Sequence, residues 1–250
     1  MGRMPSVPEE DSQAARRGYD YDSFAEAYSA ENETSLLNAY YERPATLELA
    51  GDVRGRRILD AGCGSGPLFQ ALRERGAAVT GVDASPRMLE LARRRLGAEA
   101  DLRVVDLADP LPFPDGAFDD VVSSLVLHYL RDWGPTLAEL RRVLRTGGRL
   151  IASVCHPLAE YCVARLAGRR PDYFATAVVT EEWSMSGQVA PVTYWHRPLH
   201  AMTDAFTAAG FRVSVIGEPQ PVPAARELFP DEFPLLATAP SFLFFVLRAD

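Results

Sequence analysis

The stretch Arg57-Ile-Leu-Asp-Ala-Gly-Cys-Gly-Ser-Gly-Pro67 decides the fold. Ile58 and Leu59 read as the end of a short buried strand, with Asp60 at its tip. Gly62, Gly64 and Gly66 follow at alternate positions, and Pro67 opens a helix carrying Leu68, Phe69 and Leu72 on one face. Glycines let the backbone take left-handed angles and approach a ligand closely. A helix N-terminus offers free N–H groups to an anion. Strand, glycine turn and helix therefore predict a nucleotide-type site. A dinucleotide turn, G-x-G-x-x-G/A, counted from Gly62 would need its third small residue at position 67. That position is proline, and the order is instead acid-x-G-x-G-x-G, headed by Asp60.

Outward from this turn, Ala78-Val-Thr-Gly-Val-Asp83 reads as a second buried strand ending in an acid, near the spacing at which a carboxylate grips ribose hydroxyls. Ser85 caps the next helix, Pro86 to Leu96. Leu102-Arg-Val-Val-Asp106 is a third strand, again finishing in an acid. Parallel strands of one sheet present their carboxyl ends to one crevice, so Asp60, Asp83 and Asp106 in register predict a nucleoside site. Phe113, in the loop Pro110 to Pro114, either leans on the ligand or plugs the core. A fourth strand, Phe118 to Val126, runs into Leu127-His-Tyr-Leu130 and a helix from Trp133 to Leu144. Thr146-Gly-Gly-Arg149 is a stop before the fifth strand, Leu150 to Cys155. Such regular alternation argues a doubly wound α/β sheet.

Residues 1–18 are polar and charged, which predicts disorder and neither a signal peptide nor an anchor. One domain is expected over 19–250. Residues 19–50 form a helical lid rich in tyrosine (Tyr21, Tyr28, Tyr40, Tyr41), 51–155 the cofactor-binding core, and 156–198 an aromatic insertion of no clear period that covers the substrate. Residues 199–250 add the last helix and strands.

The glycine turn, Asp83, Asp106 and Leu140-Arg-Arg-Val-Leu-Arg-Thr-Gly-Gly148 together resemble the class I S-adenosylmethionine-dependent methyltransferases of small molecules, in particular the bacterial ubiquinone/menaquinone-type (methyltransferase type 11) group. The resemblance spans about residues 19–155 and returns from His196-Arg-Pro-Leu to Gly210-Phe. It implies a Rossmann-like, seven-stranded mixed sheet with helices on both faces and an antiparallel last strand. It also implies S-adenosyl-L-methionine as cofactor and S-adenosyl-L-homocysteine as product. Asp60 would face the ammonium end, Asp83 the ribose and Asp106 the adenine amino group, beside the Leu107 N–H. Gly62, Cys63, Gly64, Gly66, Ala84, Met88 and Ser123 would complete the cofactor contacts. The Asn/Asp-Pro-Pro-Tyr/Phe signature of amino-group methylation is absent, and no metal set is visible.

Composition narrows the partners. A formal net charge of −8 argues against nucleic acid, which requires clustered cations. All cationic side chains are arginine, which excludes Schiff-base chemistry and a phosphate-binding lysine of the Walker type. No apolar run reaches the roughly 18–20 residues of a membrane span, so a cytoplasmic protein is expected. Cys63, Cys155 and Cys162 lack paired metal spacing and read as small apolar residues. His128, following strand four, is the candidate base, with Tyr28 and Tyr21 orienting an acceptor; His196 and His200 are a second choice, and His156 a structural turn. A tyrosine pair with a histidine resembles arrangements that methylate electron-rich aromatic carbons such as indole C-3. A cyclase or binding protein on the same scaffold is the alternative, and a nicotinamide-dependent oxidoreductase is disfavoured by Pro67 and Asp60. Aromatics in the insertion leave a homodimer contact open.

Overall fold

The computed structural model describes residues 21–185 and 187–250. The expected disordered N-terminus, with Tyr19, lies outside the described residues, as does the side chain of Tyr21. Seven strands build the main sheet: β1 (Arg57–Ala61), β2 (Ala78–Asp83), β3 (Asp101–Val104), β4 (Phe118–Ser124), β5 (Leu144–Cys155), β8 (Arg212–Gly217) and β9 (Phe242–Ala249). Their order is β3-β2-β1-β4-β5-β9-β8. All neighbours are parallel except β9, which runs antiparallel to both β5 and β8. The chain builds outward from β1 to β3, then returns to place β4 on the other side of β1. That reversal opens a crevice at the carboxyl ends of β1 and β4.

Helices cover both faces because neighbouring strand residues point opposite ways. Ile58, Val122, Ile151 and Val246 pack under α2 (Arg43–Ala50) and α3 (Pro67–Glu74) through Leu47, Leu68 and Leu72. On the other face, Leu59, Val121 and Phe245 meet α5 (Gly134–Val143) through Leu137 and α7 (Leu199–Ala208) through Phe206. A further helix, α4 (Pro86–Leu96), packs through Leu89 and Leu96 on Phe69 and Leu102. At the start of β4, away from the crevice, fully buried Asp120 is clasped by Arg56 and Arg149, each through two N–H groups.

Differences from the sequence reading are local. The lid is not one helical run. A 3₁₀ turn (Tyr21–Phe24) leads into α1 (Ala25–Thr34), the backbone extends at Ser35, and a π-helical turn (Asn38–Glu42) feeds α2. Strand five begins at Leu144, so Thr146–Arg149 lies inside it and the irregular register with β4 absorbs the glycines. Strand three stops at Val104, which leaves Asp106 in the following loop rather than at a strand tip. The insertion is ordered: α6 (Pro157–Leu166) is followed by an antiparallel hairpin of β6 (Ala177–Met185) and β7 (Gln188–His196). Met185, Val192 and Tyr194 of that hairpin pack on Phe24, Tyr28 and Tyr129.

Candidate active site

The glycine turn does two different jobs. Gly62 has φ +87°, and a Cβ there would lie 2.3 Å from Val126 Cγ2, so only glycine fits beneath the β4 loop. Gly64, at φ +53°, faces open space within 4 Å, which leaves a bare backbone edge for a ligand. Its N–H donates to Asp83 Oδ2 at 2.9 Å, and the Ser85 N–H donates to Oδ1 at 2.9 Å. Asp83 thus pins the turn to the tip of β2, and burial raises its pKa.

A cleft in two joined lobes lies above the turn. Tyr28, Gly62, Gly64, Ser124 and Leu125 line both lobes. Asp83, Ala84, Met88, Leu107 and Tyr129 wall one of them. Asp60, Cys63, Glu42, Arg43 and Asn32 wall the other. Leu125 is the sole non-glycine with positive φ (55°) among the described residues. Its N–H is held by the Ser153 carbonyl at 3.1 Å and the Ser153 hydroxyl at 3.0 Å, so β5 fixes this strained corner of the wall.

Asp60 is 1% exposed, and its Oδ2 has no hydrogen-bond partner among the described residues. Burial pushes its pKa up to about 8, helped by the charges of Asp83 and Glu42. Glu42 is itself buried; its Oε1 accepts from the Thr46 hydroxyl at 2.7 Å and the Ser153 hydroxyl at 2.6 Å. Arg43 is turned to Asn32, donating to its carbonyl and its side-chain oxygen at 2.6 Å each.

Of the residues singled out in the sequence, Asp60, Gly62, Cys63, Gly64, Asp83, Ala84, Met88, Leu107 and Tyr28 line the cleft. Four others stand back from it. Gly66 is filled in by α4, since a Cβ there would meet Leu96 Cδ1 at 2.8 Å. Ser123 is fully buried, and its neighbour Ser124 takes the wall because alternate strand residues face opposite ways. Asp106 is exposed and accepts from the Ala108 N–H at 2.9 Å. His128 is 4% exposed under Tyr129 (ring centroids 4.4 Å apart) and edge-on to Tyr194 at 5.9 Å. Its Nδ1 has no partner among the described residues, and burial lowers its pKa to about 3.

His196 is held by Glu160 and the Tyr173 carbonyl, at 2.9 Å each; His200 is exposed. His156 caps α6, accepting from the Leu158 N–H at 3.2 Å. Phe113 plugs the core against Phe118, and Tyr41 is core rather than lid. Cys162 is exposed, against the expectation that it packs inside. Glu42, Arg43, Asn32, Ser124, Leu125 and Tyr129 are the wall residues that sequence reasoning missed. Only the alternation along β4 could have favoured Ser124 over Ser123.

This donor and acceptor set fits one elongated ligand with a diol at one end and a cation at the other. The diol end would meet the Asp83 carboxylate, and the cation would meet the orphaned oxygen of Asp60; the bare edge at Gly64 lies between them.

Comparison with known proteins identifies the family. The family model "Methyltransferase domain" matches residues 59–152. The demethylmenaquinone methyltransferase of Symbiobacterium thermophilum is 35% identical over 230 residues, covering 84% of this chain and 89% of that one. The malonyl-[acyl-carrier protein] O-methyltransferase of Serratia marcescens is 44% identical over 99 residues, 40% of this chain and 38% of its own length. The chain spans about half the length, or less, of several curated relatives it matches. Among solved structures, an S-adenosylmethionine-dependent methyltransferase from Listeria monocytogenes superposes with a TM-score of 0.67 at 25% identity, covering 83% of this chain and 95% of that one. The chain belongs to the class I S-adenosylmethionine-dependent methyltransferases. Its cofactor is S-adenosyl-L-methionine.

Proposed function

We propose that this methyltransferase acts on a small aromatic molecule seated between the N-terminal helices and the β6–β7 hairpin. The observation that carries the reading is the continuity of the cleft, whose two lobes share the walls Tyr28, Gly62, Gly64, Ser124 and Leu125. In this reading residues 51–155 form the cofactor-binding core, and 19–50 with 156–198 form the cover. Tyr28 and Tyr129 bring aromatic rings to the wall, and the hairpin places Tyr194 and Trp183 in the same cluster. Such walls suit a flat apolar acceptor. The net charge of −8 disfavours nucleic acid. Three unpaired cysteines fit a reducing, cytoplasmic setting.

S-adenosylmethionine supplies a methyl already activated by its positive sulfur, so the protein's part is alignment. Asp83 would take the ribose hydroxyls, while Ala84, Met88 and Leu107 flank the base and Asp106 stands at its edge. Gly62, Cys63 and Gly64 back the centre of the cleft, Gly66 and Ser123 support it from behind, and Asp60 would hold the ammonium. Tyr28 is the residue proposed to orient the acceptor, and Tyr21 precedes it on the same segment. His128 stands behind the wall residue Tyr129 and does not itself line the cleft, so we assign it a positioning role; a proton-accepting role is the competing reading.

The test is a set of incubations with labelled S-adenosylmethionine and indoles, phenols and quinols, following S-adenosylhomocysteine and locating the new methyl by NMR. Turnover with an aromatic acceptor is expected, and a methyl on a ring carbon such as indole C-3 would support the finer reading. Tight cofactor binding without turnover on any aromatic acceptor would favour a cyclase or binding protein instead. For His128→Ala, a positioning role predicts a lower kcat with an unshifted pH–rate profile. Loss of an ionisation from that profile would make His128 the base.

A further inference from the structure

We infer that Glu42 is a second acid for the cofactor's ammonium group, closing on it from the lid side opposite Asp60. The inference rests on the cofactor reading above and adds a residue that no motif marks. Glu42 and Asp60 line the same lobe of the cleft, one from the π-helical turn Asn38–Glu42 and the other from β1. Both are almost wholly buried, and Asp60 Oδ2 has no partner among the described residues. Two acids sharing a buried space cannot both carry charge at low cost unless a cation joins them; without one, one of the two keeps a proton.

The groups around Asp60 sharpen the point. Asp83 faces it from β2, Cys63 from the glycine turn, and Glu42 from the lid. Arg43 borders the same lobe and is close enough to feel Glu42, but its guanidinium donates to Asn32 and to neither acid. The hydrogen bonds of Glu42 do not by themselves require an acid. Thr46 and Ser153 both donate to Oε1, a task a neutral glutamine oxygen performs equally well. An ammonium group with three N–H donors supplies what the pair lacks.

The test compares S-adenosylhomocysteine with 5′-methylthioadenosine, which keeps the adenosine and sulfur but has no amino-acid tail. Calorimetry on the whole chain should show Glu42→Gln weakening S-adenosylhomocysteine by about tenfold or more, with methylthioadenosine held within about twofold. Thr46→Val, which removes a hydroxyl but keeps the acid, should leave the ratio of the two affinities unchanged. Equal weakening of both ligands, or of neither, overturns the inference. If Glu42→Gln does not fold, Glu42→Asp, which withdraws the charge by one methylene, must change the same ratio; an unchanged ratio overturns it. Wild-type protein that binds neither ligand would instead overturn the cofactor reading itself.

Discussion

Asp60 sits under opposite demands: burial favours its neutral form, and a cationic ligand would favour its charge. The folded protein holds a proton on Asp60 up to about pH 8, whereas the unfolded chain releases it near 3.8. Its contribution to stability is therefore complete below about pH 4 and is lost as pH rises toward 8. His128 works the other way. Buried and neutral, it stabilises the fold above its ordinary 6.5 and loses that contribution as pH falls toward 3. Above pH 6.5 the Asp60 effect is free of His128. The unfolding free energy of cofactor-free wild type, minus that of Asp60→Asn, should thus decline from pH 6.5 to 8 in urea titrations. Parallel curves for the two proteins would contradict the raised pKa. At Asp83, replacement by alanine should weaken S-adenosylmethionine by about 1.5–3 kcal/mol, the scale of charged hydrogen bonds; unchanged calorimetric affinity would remove it from the ribose. Asp60 and Asp83 were legible because strand tips and glycine spacing place them without knowledge of packing. Glu42 was not, since its approach depends on the phase of a lid whose helices change type twice.

At the scale of elements, the first part of the lid, residues 22–34, meets α4 and its Ser85 cap through polar contacts. Glu26 pairs with Arg87, Glu33 with Arg95, and Asp22 accepts from the Ser85 hydroxyl. Exposed pairs of this kind each hold weakly and are screened by salt. The double variant Glu26→Gln/Glu33→Gln should speed S-adenosylhomocysteine release by about two- to thirtyfold in stopped flow. Raising salt should speed release from wild type more than from the variant; identical salt responses would show that these pairs do not hold the lid. Helices α3, α4 and α5 could be read from prolines at their first turns and from their apolar spacing. The hairpin could not. Its inward face carries Glu181 and His196 beside Val192 and Tyr194, while Val178 and Val189 lie exposed on the other face. Apolar and polar residues are mixed on both sides, which erases the alternation that marks an ordinary strand.

For the whole molecule, cleft and scaffold are stabilised separately. S-adenosylhomocysteine at a hundred times its Kd should add about 2.7 kcal/mol. In a chain of this size that corresponds to a rise of about 5–10 °C in Tm. A nicotinamide dinucleotide should produce no shift, and an equal one would return the glycine turn to the dinucleotide class. At the opposite end of the sheet, Asp120→Ala leaves Arg56 and Arg149 without their shared partner. It should cost about 3–5 kcal/mol by chemical denaturation with the ligand-induced gain in Tm preserved. The doubly wound α/β class was readable from the alternation of strands and helices, and the antiparallel last strand only from the family resemblance. How the insertion folds back over the lid was not, because contacts such as Met185 and Val192 on Phe24 join segments distant in sequence.

Between Asn38 and Arg43 the backbone closes a loop five residues wide, with the Arg43 N–H bonded to the Asn38 carbonyl. An ordinary helical turn closes at the fourth residue, so this turn carries one residue more. Deleting that residue would let the chain close as regular α-helix with the flanking turns near their present orientation. Spacing in this part of the lid is therefore coupled to the shape of the cleft, because Asn38, Glu42 and Arg43 all reach the wall from this one turn and its exit.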